Sequence, residues 1–154
     1  MRLSEFIKRK CDKKIRIRLR DMIKFFSDKE AVFRRIKQNP LIYTVLIKKE
    51  KEIEYAITTI EPGKIGKEYF MTRGHYHKNP YPEIYILIKG HGILLLQDKK
   101  LKKITLEKGK TYYVSPKQAH RVVNTGKKKI EFLSIYSPKA GHDYKKIEKK
   151  GFKK

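Results

Sequence analysis

His75, His77, Glu83 and His120 are the residue types in this chain best suited to hold one divalent metal. They occur as Gly74-His75-Tyr76-His77, then Glu83 after a five-residue spacer, then Gly90, and later Pro116-Lys117-Gln118-Ala119-His120 with Asn124 behind it. Strand side chains alternate with period two, so His-x-His places both imidazoles on one face of a strand. Glu83 can reach them from a neighbouring strand across a turn over 78–82, and His120 from a later strand folded beside both. Three imidazoles and a carboxylate suit Fe, Mn, Ni, Co or Zn and leave coordination positions for a substrate. A lone strand histidine is usually packed or solvated; the full spacing is much harder to reach by chance.

A second set could bind oxygen anions. Thr58, Thr72 and Tyr136 offer hydroxyls and Gly74 a backbone N–H, the mixture found at phosphate sites. Their plain alternative is β propensity. His91, in the turn after Gly90, reads as solvated. His142, in Ala140-Gly141-His142-Asp143-Tyr144 just past the final strand, is either loop filler or a group folded over the site. Gly90 suits a tight turn, Pro116 stiffens the approach to His120, and Asn124 either braces a loop or fills a turn.

Those residues need strands to position them, and the chain supplies many short ones. The pattern predicts Leu41–Lys48, Ile53–Ile60, Glu68–Arg73, Ile84–Lys89, Gly92–Gln97, Lys102–Leu106, Thr111–Val114, His120–Asn124 and Ile130–Tyr136. Turn signals such as Pro62-Gly63, Lys89-Gly90 and Lys108-Gly109 separate them. This is the signature of an all-β barrel or jelly roll. Upstream, alternation over Ile15–Leu19 predicts a strand, and Asp28 caps a short helix that Asn39-Pro40 ends. The Lys-rich final stretch is expected to lie on the surface or fray.

At 154 residues this is one domain. The single cysteine, Cys11, excludes an internal disulfide framework, and the absence of a signal peptide or long apolar run predicts a cytoplasmic protein with no membrane partner. The net charge of +24 would support nucleic-acid binding on charge alone. Its lysines are spread over loops and both ends, however, without the interleaved aromatics of a stacking platform. A background lysine bias, as in hyperthermophiles, is the simpler account.

The run from Pro62 to His77, Pro-Gly-Lys-Ile-Gly-Lys-Glu-Tyr-Phe-Met-Thr-Arg-Gly-His-Tyr-His, resembles the signature of the archaeal cupin-type glucose-6-phosphate isomerases. So do Glu83-Ile84-Tyr85, Ala119-His120-Arg121-x-Val123-Asn124-x-Gly126, and the Ala140–Tyr144 ending. The resemblance implies a cupin double-stranded β-helix: residues 1–40 as a short helical extension packed on it, 41–145 as the barrel and 146–154 as a basic tail. It implies a homodimer with one divalent metal per subunit, Fe(II) foremost, held by His75, His77, Glu83 and His120. Thr58, Thr72, Gly74 and Tyr136 would hold the phosphate, while Tyr43, Tyr85, His142 and Tyr144 would line the sugar.

The chain departs from the family pattern in its short, proline-bearing spacer between His77 and Glu83, its early end after Gly151-Phe152, and its charge. The implied reaction moves hydrogen between C1 and C2 of an open-chain sugar phosphate. Glu83 would serve as base in a cis-enediol route, with Tyr85 and His142 handling protons; a hydride shift needs no base. A different phosphosugar, a dioxygenase chemistry, or a basic cupin module without catalysis are the competing readings.

Overall fold

The computed structural model describes residues 1–150 and Phe152. Helix α1 (Leu3–Lys10) leads into strand β1 (Lys13–Arg18), a 3-10 turn (Leu19–Met22) and helix α2 (Lys29–Arg35). Strands then follow in succession: β2 (Leu41–Lys49), β3 (Glu54–Ile60), β4 (Lys64–Ile65), β5 (Glu68–Tyr69), β6 (Glu83–Lys89) and β7 (Gly92–Gln97). After them come β8 (Leu101–Thr105), β9 (Thr111–Val114), β10 (Ala119–Asn124), β11 (Ile130–Tyr136) and the C-terminal helix α3 (Lys145–Lys150).

A six-stranded sheet runs β1-β2-β3-β11-β6-β9 and faces a three-stranded sheet, β10-β7-β8; β4 and β5 form a small hairpin. The fold is the expected all-β cupin jelly roll. Alternation decides which side chains enter the space between the sheets. Along β6 the buried positions are Glu83, Tyr85 and Leu87; along β7 they include Leu94 and Leu96. These pack with Ile42, Ile60, Val122, Ile130 and Phe132 in one apolar cluster that also takes Phe26, Leu19 and Met22 from the N-terminal segment. Each such side chain contributes about 1.5–3 kcal/mol on leaving water.

The N-terminal segment differs from its predicted strand and helix by one element. Leu3, Phe6 and Ile7 form an apolar stripe at helical spacing, and α1 lays it on the outer face of the large sheet against Ile57 and Leu133. Lys8 Nζ lies 2.7 Å from the carboxylate of the buried Glu131, fixing the helix axis. β1 is itself an edge strand hydrogen-bonded to β2, so residues 1–40 extend the sheet as well as covering it. Asp28 caps α2, its carboxylate accepting from the Ala31 N–H at 2.9 Å.

Two further differences concern the site. The strand expected over Glu68–Arg73 stops at Tyr69, and Met71 and His75 touch β10 only through isolated bridges to Val123 and His120. Gly74, at φ +73°, breaks the ladder. Of the Lys-rich end expected on the surface or frayed, Lys145 and Lys146 are exposed on α3, which the buried Ile147 anchors, while residues 151, 153 and 154 lie outside the described residues. Among the described residues no helix is long and apolar enough to cross a membrane.

Candidate active site

His120 enters the space between the sheets from β10, and its Nδ1 faces the Gln118 carbonyl at 3.1 Å. The ring donates there, which leaves the Nε2 lone pair pointing inward. His77 is held the same way, its Nδ1 on the Tyr81 carbonyl. The predicted regular strand under His-x-His is absent, but the segment is extended enough to bring the His75 and His77 rings to 5.3 Å, stacked at 27°. Glu83 is the first residue of β6. Its Oε2 lies 2.9 Å from His120 Nε2, 3.0 Å from His77 Nε2 and 3.9 Å from His75 Nε2.

The ligand atoms of these four residues all lie within 4.8 Å of one another. His75 Nε2 and His120 Nε2 approach to 3.0 Å. Lone pairs facing each other and a buried carboxylate repel unless cationic charge, a proton or a metal, lies among them. The donor set and its outer hydrogen bonds therefore fit a divalent ion. Burial drives His75 well below the usual imidazole range, with His120 beside it adding to the effect. Burial also works against ionised Glu83, yet the close approach of His120 and His77, wherever cationic charge lies between them, holds its carboxyl well below the ordinary value. For His77, the cost of burial is outweighed by contacts with Glu83 and the Tyr81 carbonyl, and its pKa is raised.

Beside this cluster opens a cavity of about 270 Å³. Tyr43, Thr58, Thr72, Gly74, Tyr85, Tyr136, His142 and Tyr144 all border it, together with His75, Glu83 and His120, while His77 stays behind its wall. Thr72 Oγ1 accepts from the Val122 N–H at 3.1 Å, so its own proton remains free to donate. Burial pushes Tyr85 well above the ordinary phenol value, reinforced by the neighbouring Glu83 carboxylate. Burial likewise raises Tyr144 to about 12 and lowers His142. His142 stands edge-on to His75 and flat on Tyr144. His91 is exposed and outside the cavity wall, as expected.

Sequence reading missed other wall residues. Arg73 stands between two predicted phosphate contacts, and that adjacency was the available signal. Ser134 and Glu54 reach the wall through strand register, Ser134 opposite Tyr85 and Glu54 opposite Tyr136.

The fold resembles oxalate oxidase, with a TM-score of 0.52 at 19% identity over 62% of this chain and 47% of that one. It also resembles the oxalate decarboxylase of Lactobacillus farciminis, at TM-score 0.54 and 18% identity over 66% of this chain and 30% of that one. The chain thus spans under half of each, and the likeness shows the cupin fold alone. The family model described as glucose-6-phosphate isomerase matches residues 20–153. The relative so named in Thermococcus onnurineus is 44% identical over 149 residues, covering 92% of this chain and 79% of its own length. That of Pyrococcus abyssi is 43% identical over 150 residues with the same coverage. A putative one from Rhizobium meliloti keeps 34% identity over 144 residues. With the match extending through both the cluster and the cavity wall, this chain belongs to the glucose-6-phosphate isomerase family.

Proposed function

We propose that this chain interconverts glucose 6-phosphate and fructose 6-phosphate, with one divalent metal per subunit held by His75, His77, Glu83 and His120. The observation that carries the reading is the convergence of those four ligand atoms beside a cavity, in a chain of this family. Bound there, a divalent ion supplies Lewis-acid polarisation of a carbonyl and stabilises developing negative charge.

The chain's own residues do the rest. Thr58, Thr72 and Tyr136 donate hydroxyl protons, and Gly74 its N–H, to the phosphoryl oxygens. Tyr43, Tyr85 and Tyr144 shape the wall against the sugar. Glu83 takes the C2 proton and returns it to C1 through a cis-enediol. His142, on the cavity wall beside Tyr136 and Tyr144, moves the hydroxyl proton between O2 and O1. Tyr85, hydrogen-bonded to Glu83, keeps that carboxylate oriented and assists ring opening. Fe(II) is the ion proposed first, since imidazole and carboxylate ligands suit it, with Mn(II), Ni(II), Co(II) and Zn(II) as competitors. The setting proposed is the cytoplasm of an archaeon, and the assembly a homodimer that sedimentation would register as twice the chain mass.

A coupled assay of metal-stripped protein on fructose 6-phosphate, with each ion restored in turn, tests the reading. Turnover that depends on added metal is the expected result. Protein that binds metal yet converts nothing would sink the substrate assignment. Running the active form in deuterium oxide tests for proton transfer through a base: solvent deuterium should enter the transferred position wherever the proton held by the base exchanges before it is returned, and such label would exclude direct hydride transfer.

A further inference from the structure

Arg73 carries a positive charge on the cavity wall that the ligand and phosphate assignments leave unused. Its Nε donates to the Tyr43 hydroxyl at 3.4 Å, and its guanidinium lies over the Tyr144 ring at 4.3 Å. Among the described residues no carboxylate pairs with it. Lys13 and Lys49 also reach the wall, but they are exposed chains at the β1–β2 rim, and Glu54 stands opposite Lys49 in the sheet. Arg73 is the cation that the fold holds in place, half-buried and stacked on an aromatic face.

A second guanidinium lies behind the same stretch of backbone. Arg121 is 7% exposed, and its Nη2 donates to the Arg73 carbonyl at 2.6 Å. Its Nε is buried without a hydrogen-bond partner among the described residues. The nearby Glu68 carboxylate is taken up by the N–H and hydroxyl of Ser27. Gly74 separates the two arginines closely: a Cβ there would sit 3.1 Å from Arg121 Nε and 2.7 Å from the Phe152 ring covering it. Two cations are thus gathered round one glycine, beside Thr72 and Thr58, and among the described residues no carboxylate is bound to either.

We propose that the Arg73 guanidinium is the charged group that recognises the substrate's phosphoryl dianion. The proposal rests on the phosphate placement given above and adds the charge it lacks. Neutral hydroxyls and an amide N–H would bind a sugar hydroxyl nearly as well as a phosphate, whereas a planar guanidinium matches phosphoryl oxygens in geometry and charge. The stack on Tyr144 gives the contact a second consequence. A phosphate drawn to Arg73 holds Tyr144, and with it His142, over the sugar.

Arg73→Gln should raise KM for fructose 6-phosphate and weaken competitive inhibition by inorganic phosphate by roughly tenfold to a hundredfold each. The kcat should change much less, and Arg73→Lys should recover part of both losses. Unchanged KM and phosphate inhibition would overturn the proposal, as would a fall in kcat alone, which would make Arg73 only a prop for Tyr144. Wild-type protein provides a test that needs neither a folded variant nor turnover. Inorganic phosphate and fructose 6-phosphate should each protect Arg73 from phenylglyoxal, read by mass spectrometry of its peptide. Unprotected Arg73 at saturating phosphate would also overturn it. A wild-type chain without turnover would refute the isomerase reading while the labelling still decided the role of Arg73.

Discussion

The His142 ring lies edge-on to His75 with centroids 4.3 Å apart and stacks on Tyr144 at 6° between planes. It is outside the four-residue cluster but on the cavity wall, so its loss should separate proton handling from metal binding. His142→Ala is expected to lower kcat about a hundredfold or more, the usual contribution of a positioned acid–base group. Metal content should stay at the wild-type level. Unchanged kcat would remove His142 from the mechanism, and lost metal would mean that it props His75 instead. At this scale the four metal-ligand candidates were legible because histidine is scarce in this lysine-rich chain and the spacing of the three histidines and Glu83 is distinctive. Asn124 was ambiguous in sequence. In the structure its Nδ2 reaches the Ile60, Glu61 and Lys128 carbonyls at 3.0–3.2 Å, and its Oδ1 accepts from Gly126 N–H, so it braces the turn. Arg73 was harder to read: one arginine among so many cations carries no signal until its contacts with Tyr43 and Tyr144 are known.

Helix α1 shows where local pattern stops being sufficient. Eight residues ending in Lys-Arg-Lys form at best a marginal helix alone. What holds α1 is the apolar outer face of the sheet at Ile57 and Leu133, together with the Lys8–Glu131 contact. Those partners are separated from it by more than 45 residues of sequence, so the helix could not be read locally. The strands are a contrast: β7, β9 and β11 lie where alternation and turn residues put them. The misread strand after Glu68 has a physical cause, because bringing Thr72 and His75 beside β10 requires the left-handed turn at Gly74. Ile7 is fully buried under α1. Ile7→Ala should therefore cost about 2–5 kcal/mol, read from the denaturant midpoint at unchanged slope. A midpoint within error of the wild type would show that α1 contributes nothing to stability.

Across the whole molecule, the +24 charge and the phosphosugar reading meet in one measurable quantity. A substrate dianion approaching this surface is attracted before it touches any residue, and low-dielectric cavity walls focus the field towards the opening. Salt screens that attraction, since the Debye length is about 10 Å at 0.1 M and shorter above it. It does not remove a contact already made in a half-buried site. The charge should therefore act mainly on capture: kcat/KM for fructose 6-phosphate should fall several-fold between about 20 and 300 mM sodium chloride, while kcat stays nearly level. In Arg73→Gln the slope should persist, because diffuse lysines rather than one guanidinium generate the long-range field. Were kcat/KM flat across that range, the lysines would have no part in substrate capture, and the excess charge would be background composition only.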